Sequence, residues 1–141
     1  TIYLVAFEYL RKKCNMKKGS KLYSIATMTC PQCQEGRFMV AHPYRFSTMG
    51  EVNDHCEKCG LNLKPEPGFY YGAMYVSYAL GVAVFVTIWA SCNWFFDNVD
   101  VWTQISLVLI ALVGLGPYLY ALSKVIWANF FIHYKKNATL R

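Results

Sequence analysis

Charged residues disappear from the chain over the 28 positions from Phe69 to Phe96, and again over the 23 from Val101 to Ser123. As a helix, the first run reaches about 42 Å at 1.5 Å per residue, more than the roughly 30 Å of a bilayer's hydrocarbon core. Its middle, Ala79 to Ala90 (ALGVAVFVTIWA), is apolar on every side and has no wet face. Only Asp97-Asn98-Val99-Asp100 separates the two runs, so two helical spans would have to be antiparallel neighbours. The pattern predicts a membrane α-helical hairpin within residues 69–134, with spans at about 69–96 and 101–123. A buried helix pair inside a soluble protein would need a polar shell that 141 residues do not supply. Only 16% of residues are charged, against about 25% in an ordinary soluble domain.

The charge that remains is unevenly placed. The net +6 comes from 14 Lys and Arg against 8 Asp and Glu. Ten of the basic residues precede the first run, four (Lys124, Lys135, Lys136, Arg141) lie at or beyond the end of the second, and the link has none. The positive-inside rule then predicts both termini in the cytoplasm of a bacterial inner membrane and the link outside. Basic residues beside anionic headgroups account for the net charge, so no nucleic-acid partner is expected.

Aromatic residues cluster at the span ends: Phe69, Tyr70, Tyr71 and Tyr75 at the inner entry, Trp94, Phe95, Phe96 and Trp102 around the link, and Trp127, Phe130, Phe131 and Tyr134 at the inner exit. Amphipathic rings are stable at headgroup depth, so these read as anchoring belts. Lys124 is expected to snorkel to the inner interface. The residues after it either extend the second helix or lie flat, with His133 at headgroup level. Pro117, after Gly114 and Gly116, should kink the second helix. Gly68 and Gly72, and Ser77 and Gly81, have the spacing for close helix approach, on the second span or on a partner.

The chemistry lies before the spans. Cys30-Pro31-Gln32-Cys33 and Cys56-Glu57-Lys58-Cys59-Gly60 are two C-x-x-C pairs 22 residues apart. Two residues between thiolates let one tight turn present both sulfurs to one ion, and two such turns complete a tetrahedron. Cys30, Cys33, Cys56 and Cys59 are therefore the expected ligands of a structural zinc held by four thiolates. An iron centre, transient metal carriage and redox thiols are the alternatives. Reducing cytoplasm favours metal over cystine. Gly60 is suited to the positive φ such a turn often needs, and Gly36 is placed to help the first turn similarly. His55 beside Cys56 is expected to be exposed, while Cys14 and Cys92 lack partners. Arg37–Val40 and Tyr44–Phe46, around a turn at His42-Pro43, read as short strands. Residues 16–68 are thus expected to form a small cytoplasmic β zinc-ribbon-like module, coupled without a flexible linker to the first span by Glu66-Pro67-Gly68. Residues 1–15 read as an extension or an interfacial segment, and 135–141 as a cytoplasmic tail.

From Met16 onward the chain resembles the bacterial domain-of-unknown-function 983 family. The resemblance lies in MKKGSKLYSI, CPQCQEG, CEKCGL and, most specifically, PEPGFYYGAMYVSYA leading into the first span. The family commonly has Gly directly after the first cysteine pair, where this chain has Gln34. The resemblance implies a cytoplasmic zinc-ribbon-like module on two membrane helices. Some relatives are associated with terminal oxidase genes, which implies a larger membrane partner such as a terminal oxidase or an electron-transfer supercomplex. No nucleophile–base pair, carboxylate dyad, Walker motif or dinucleotide fingerprint occurs in the sequence, so the chain is not expected to be an enzyme. The leading expectation is an accessory or assembly subunit of a respiratory membrane complex. The others are a metallochaperone or thiol-redox factor for oxidase assembly, and a membrane-tethered adaptor with Arg37, Arg45, Lys58, Lys64, Phe38, Tyr44 and Phe46 on one face.

Overall fold

The computed structural model describes residues 19–95 and 99–136, and of Phe46 the backbone only. The 1–15 segment, Cys14, Phe96 and the last five residues lie outside the described residues. Among the described residues three α-helices follow in order: α1 (Lys21–Thr27), α2 (Tyr71–Phe95) and α3 (Val101–Phe131), with one 3-10 turn at Phe46–Thr48 between the first two. Gly68, at φ +90°, turns the chain into α2, and the Tyr71 N–H donates to its carbonyl at 2.9 Å. Asp100 starts α3, its carboxylate accepting from the Trp102 N–H, which satisfies a donor that the first turn leaves free.

Both long helices are long and apolar enough to cross a membrane, and only 6% of the most apolar stretch of each is buried. They are therefore not the core helices of a soluble domain. Thr87, Ser91, Asn93 and Ser106 each bond to the carbonyl four residues back, at 2.7–2.8 Å. Each polar side chain thus finds its partner within its own helix, as an apolar medium demands.

α3 runs past the expected end of the span. Its 31 residues make a rod of about 46 Å, and its last ten or so serve as a wall for the cysteine-bearing segment. Ala121, Val125 and Ala128 lie on one face of that wall, fully buried, with Phe38, Met39, Val52 and Leu63 in the same core. The i, i+4, i+7 spacing of small residues lets the segment approach the helix closely. α1 docks on the same wall, where Asn129, buried, donates to the Ser24 hydroxyl at 3.2 Å across 105 residues of chain.

Four expectations need correction. Lys124 does not snorkel: its ammonium donates to the Gly50 carbonyl at 2.8 Å and sits over the Tyr120 ring, 4.6 Å from its centroid. A carbonyl within reach outcompetes a longer extension towards headgroups. Trp127 is a packing residue, not a belt anchor. Its indole N–H donates to the Phe69 carbonyl at 2.8 Å, and its ring lies against Gly72, where any Cβ would collide with it. Tyr70 likewise turns inward, its hydroxyl donating to the Leu63 carbonyl at 2.6 Å. The expected strands are also missing: the described residues contain no strand, only isolated antiparallel bridges pairing Thr29 with Arg37, Met39 with Val52, and His55 with Asn62. The sulfur turns and the 3-10 turn use up the residues that a ladder would have needed.

The Lys124 contact yields a test. Replacing it by Met keeps the stem and leaves the Gly50 carbonyl without its donor, a loss of about 1–3 kcal/mol. Lys124→Met is expected to speed amide exchange in the Val40–Glu51 segment about tenfold or more, while exchange in the middle of α2 stays unchanged. Mass spectrometry of the exchanged protein in detergent reads both.

Candidate metal centre

The two C-x-x-C turns are built alike. In the first, the Cys30 N–H donates to the Gly36 carbonyl and the Gln34 N–H to the Cys30 carbonyl, both at 2.9 Å. In the second, the Cys56 N–H donates to the Leu61 carbonyl at 2.9 Å and the Gly60 N–H to the Cys56 carbonyl at 2.8 Å. A bridge closes each turn behind the cysteines, Thr29 with Arg37 and His55 with Asn62. The first turn is one residue longer.

The residue after each cysteine pair takes a left-handed conformation, Gln34 at φ 57° and Gly60 at φ 68°. Gly60 does so freely, whereas a residue with a Cβ gives up about 1 kcal/mol. Gln34 offsets this with its side chain, which is 3% exposed. Its Oε1 accepts from the Gly19 N–H at 2.7 Å and its Nε2 donates to the Ser20 carbonyl at 2.9 Å. Gln34 thereby fixes the entry to α1. Gly36 has no positive φ, contrary to the sequence expectation. It is needed for room, because a Cβ there would collide with the Cys56 sulfur.

These turns bring all four expected ligands together: the sulfurs of Cys30, Cys33, Cys56 and Cys59 lie within 4.8 Å of one another. Across the turns, Cys30 and Cys59 are 3.8 Å apart and Cys33 and Cys56 3.6 Å. A disulfide would require about 2.05 Å, and the four are free thiols. Four sulfurs at about 2.3 Å from a central ion, in a tetrahedron, are separated by about 3.8 Å. The donor set and its spacing fit one tetrahedral metal ion.

Electrostatics point the same way. Burial pushes the Cys30 thiol well above its usual range and lifts Cys59 to about 11. Burial also raises Cys56, but the N–H groups of Lys58 and Cys59 outweigh it and the net shift is downward. A buried cluster of thiolates needs a cation at its centre to exist at neutral pH. Three of the sulfur-bearing residues belong to the buried core, and Cys59 keeps some solvent access. The chain after α3 returns to the cluster, where the Lys135 N–H donates to the Gln32 carbonyl at 3.1 Å.

Other candidates stand apart. His55 is exposed and outside the sulfur group, Cys92 is buried within α2, and His133 is exposed. Arg37, Arg45, Lys58 and Lys64 are exposed or partly so, but Phe38 is wholly buried and cannot share a basic–aromatic face with them. Lys64 pairs with Asp54 at 2.8 Å. The roles of Gln34, Gly36 and Asn129 had escaped sequence reasoning. The only signals were a polar residue where Gly60 stands in the sister turn and an Asn among apolar neighbours.

No curated protein and no solved structure matches the chain. The DUF983 family, described as a protein of unknown function, matches residues 46–131. That stretch holds the second cysteine pair and both long helices, begins after the first pair, and covers more than half of the chain. With the sulfur cluster and the helix pair as its framework, the chain belongs to the DUF983 family.

Proposed function

We propose that the chain is a two-span protein of the bacterial inner membrane whose zinc centre, on the cytoplasmic face, is structural, and that it serves as a non-catalytic accessory or assembly subunit of a respiratory membrane complex. The observation that carries this reading is the closed sulfur cage. Cys30, Cys33, Cys56 and Cys59 would occupy all four positions around a tetrahedral ion, leaving none for a substrate. Zinc suits such a soft, redox-silent, tetrahedral set. Bound there, it supplies charge neutralisation and a cross-link between two turns that have little other structure. The module is a ribbon-like variant in which bridges replace strands.

The orientation follows from charge. The described basic residues flank the metal end of the helix pair and Asp100 the other end, as the positive-inside rule asks of a cytoplasmic module. For the partner, support comes from the outward surface of α3, where nothing lies within 4 Å of a Cβ built at Gly114 or Gly116. Such glycines permit close approach by another helix. The respiratory part of the reading draws on the family resemblance described above. Metal carriage is a second reading, favoured by the partial exposure of Cys59, the one ligand an acceptor could reach.

Purified in mild detergent, the protein is expected to contain one zinc per chain by elemental analysis and to bring oxidase or electron-transfer subunits with it, identified by mass spectrometry. A chain that holds no metal ends the structural-zinc reading, and one that runs alone ends the accessory reading. Ready transfer of zinc to a mild chelator would favour carriage instead.

The ligand thiols bind as thiolates, so binding releases protons and affinity rises with pH. With Cys30 and Cys59 both protonated at neutrality, at least two protons leave. Apparent affinity should therefore fall about a hundredfold or more for each pH unit lowered, measurable by chelator competition at two pH values. Gly36→Ala drives a methyl group onto the Cys56 sulfur. It should cost about 1–3 kcal/mol and weaken zinc retention roughly tenfold to a hundredfold, whereas Gly114→Ala should leave it unchanged.

A further inference from the structure

The residue just before the first cysteine is held by all three of its polar groups. Thr29 follows α1, whose cap residue Met28 stands in the left-handed conformation at φ 51°. The Met28 N–H reaches the Ile25 carbonyl at 3.4 Å and the Thr29 N–H the Ser24 carbonyl at 3.1 Å, the two bonds that end a helix by folding the chain back over its last turn. A residue with a Cβ is disfavoured at such a position, so the sequence accepts strain to bring Thr29 back onto α1. The Ser24 hydroxyl donates to the Thr29 carbonyl at 2.7 Å. The Thr27 and Thr29 hydroxyls are 2.9 Å apart. Thr27 directs its own proton to the Tyr23 carbonyl at 2.6 Å, so Thr29 is the donor of that pair.

The Thr29 carbonyl and the Cys30 N–H are the two ends of one planar peptide unit. Ser24 grips one end, and the Gly36 carbonyl accepts from the other at 2.9 Å. Asn129, near the end of α3, donates to the Val125 carbonyl at 2.8 Å and to the Ser24 hydroxyl at 3.2 Å. Ser24 is 0% and Asn129 3% exposed, so water does not compete for these bonds. A directed chain thus runs from the Asn129 amide through the Ser24 hydroxyl to the peptide that orients Cys30.

We propose that Asn129 and Ser24 are positioning residues of the metal centre, carrying the placement of α3 through α1 to the first ligand. This rests on the metal reading given under Proposed function. The second cysteine pair is referred to the helices by another route. Leu63 lies in the core with Ala121, Val125 and Ala128, and its carbonyl accepts from the Tyr70 hydroxyl. One tetrahedral ion requires both pairs at a fixed separation, and a shared frame on α3 supplies it. Groups that orient metal ligands from outside the ligand set typically change affinity tenfold to a hundredfold when removed.

The test loads the full chain in mild detergent with cobalt(II) in place of zinc, since the visible bands of cobalt report tetrahedral thiolate ligation. Asn129→Leu and Ser24→Ala are each expected to weaken cobalt binding about tenfold and to shift those bands. The double variant should bind no more weakly than Ser24→Ala alone, because both residues act along one path. Ser123→Ala removes another buried hydroxyl of α3, one that bonds the Tyr120 carbonyl of its own helix at 2.7 Å, and should change neither readout. Variants that melt at lower temperature yet keep the parent's affinity and bands would overturn the positioning role, as would additive losses in the double variant. If Ser24→Ala does not fold, Asn129→Leu, which leaves both Ser24–Thr29 bonds in place, decides the matter by the same readouts. Absence of tetrahedral thiolate bands from the parent chain would instead end the metal reading itself.

Discussion

Phe38, Val52 and Leu63 are buried against Ala121, Val125 and Ala128, and the sulfur cage sits within that same core. Everything described about the segment before α2 depends on this contact. The stretch from Gly19 to Gly68 has one short helix, a 3-10 turn and three isolated bridges, too little to enclose a core by itself. It has two remedies, a sulfur cage able to hold a metal ion at one side and the extended end of α3 at the other. Neither suffices alone. A bound ion would tie the turns together without burying much apolar surface, and the helix provides a surface but fixes no turn.

α3 therefore has two solvents along its length. Towards Val101 its large apolar side chains face outward, Ser106 bonds back to the Trp102 carbonyl, and Gln104 reaches the Val99 carbonyl just before the helix. Towards Phe131 the same rod presents alanines, a serine and an asparagine to a protein core. Lys124 marks the change, and its charge is spent on a loop carbonyl and two aromatic rings. On the other helix, Gly72 does the corresponding work: only the missing side chain lets Trp127 lie flat and reach the Phe69 carbonyl. Module, helix entry and helix exit are thereby one packed unit.

How much of this was legible in the sequence depended on range. The two long helices and the four cysteines announce themselves within short windows, as uncharged runs and paired cysteines; the structure has a long helix in each run, the second continuing to Phe131, and gathers the four sulfurs. Gly60 could be assigned because its demand is local. Gly36 could not, because the atom that forbids its side chain is the Cys56 sulfur, twenty positions on. Lys124 and Trp127 carry the composition of interfacial residues, yet their partners, Gly50 and Phe69, come from far earlier in the chain. The strand expectation failed for a related reason. The apolar run Phe38–Val40 reflects a chain that buries Phe38 and Met39 in the core around the sulfur cage without an extended neighbour to pair with over more than one residue.

The bond from Asn129 to Ser24 spans 105 positions, and it sets an order of events on the ribosome. The cysteine-bearing segment is made first, but its closing wall follows only after α2 and most of α3 have been synthesised. Until then Phe38 and Leu63 have nothing to cover them, and exposed apolar surface of that kind invites aggregation and chaperone capture. A nascent chain arrested before residue 121 would carry its metal turns with its core open to proteases, so quality control of this protein is decided at the far end of α3.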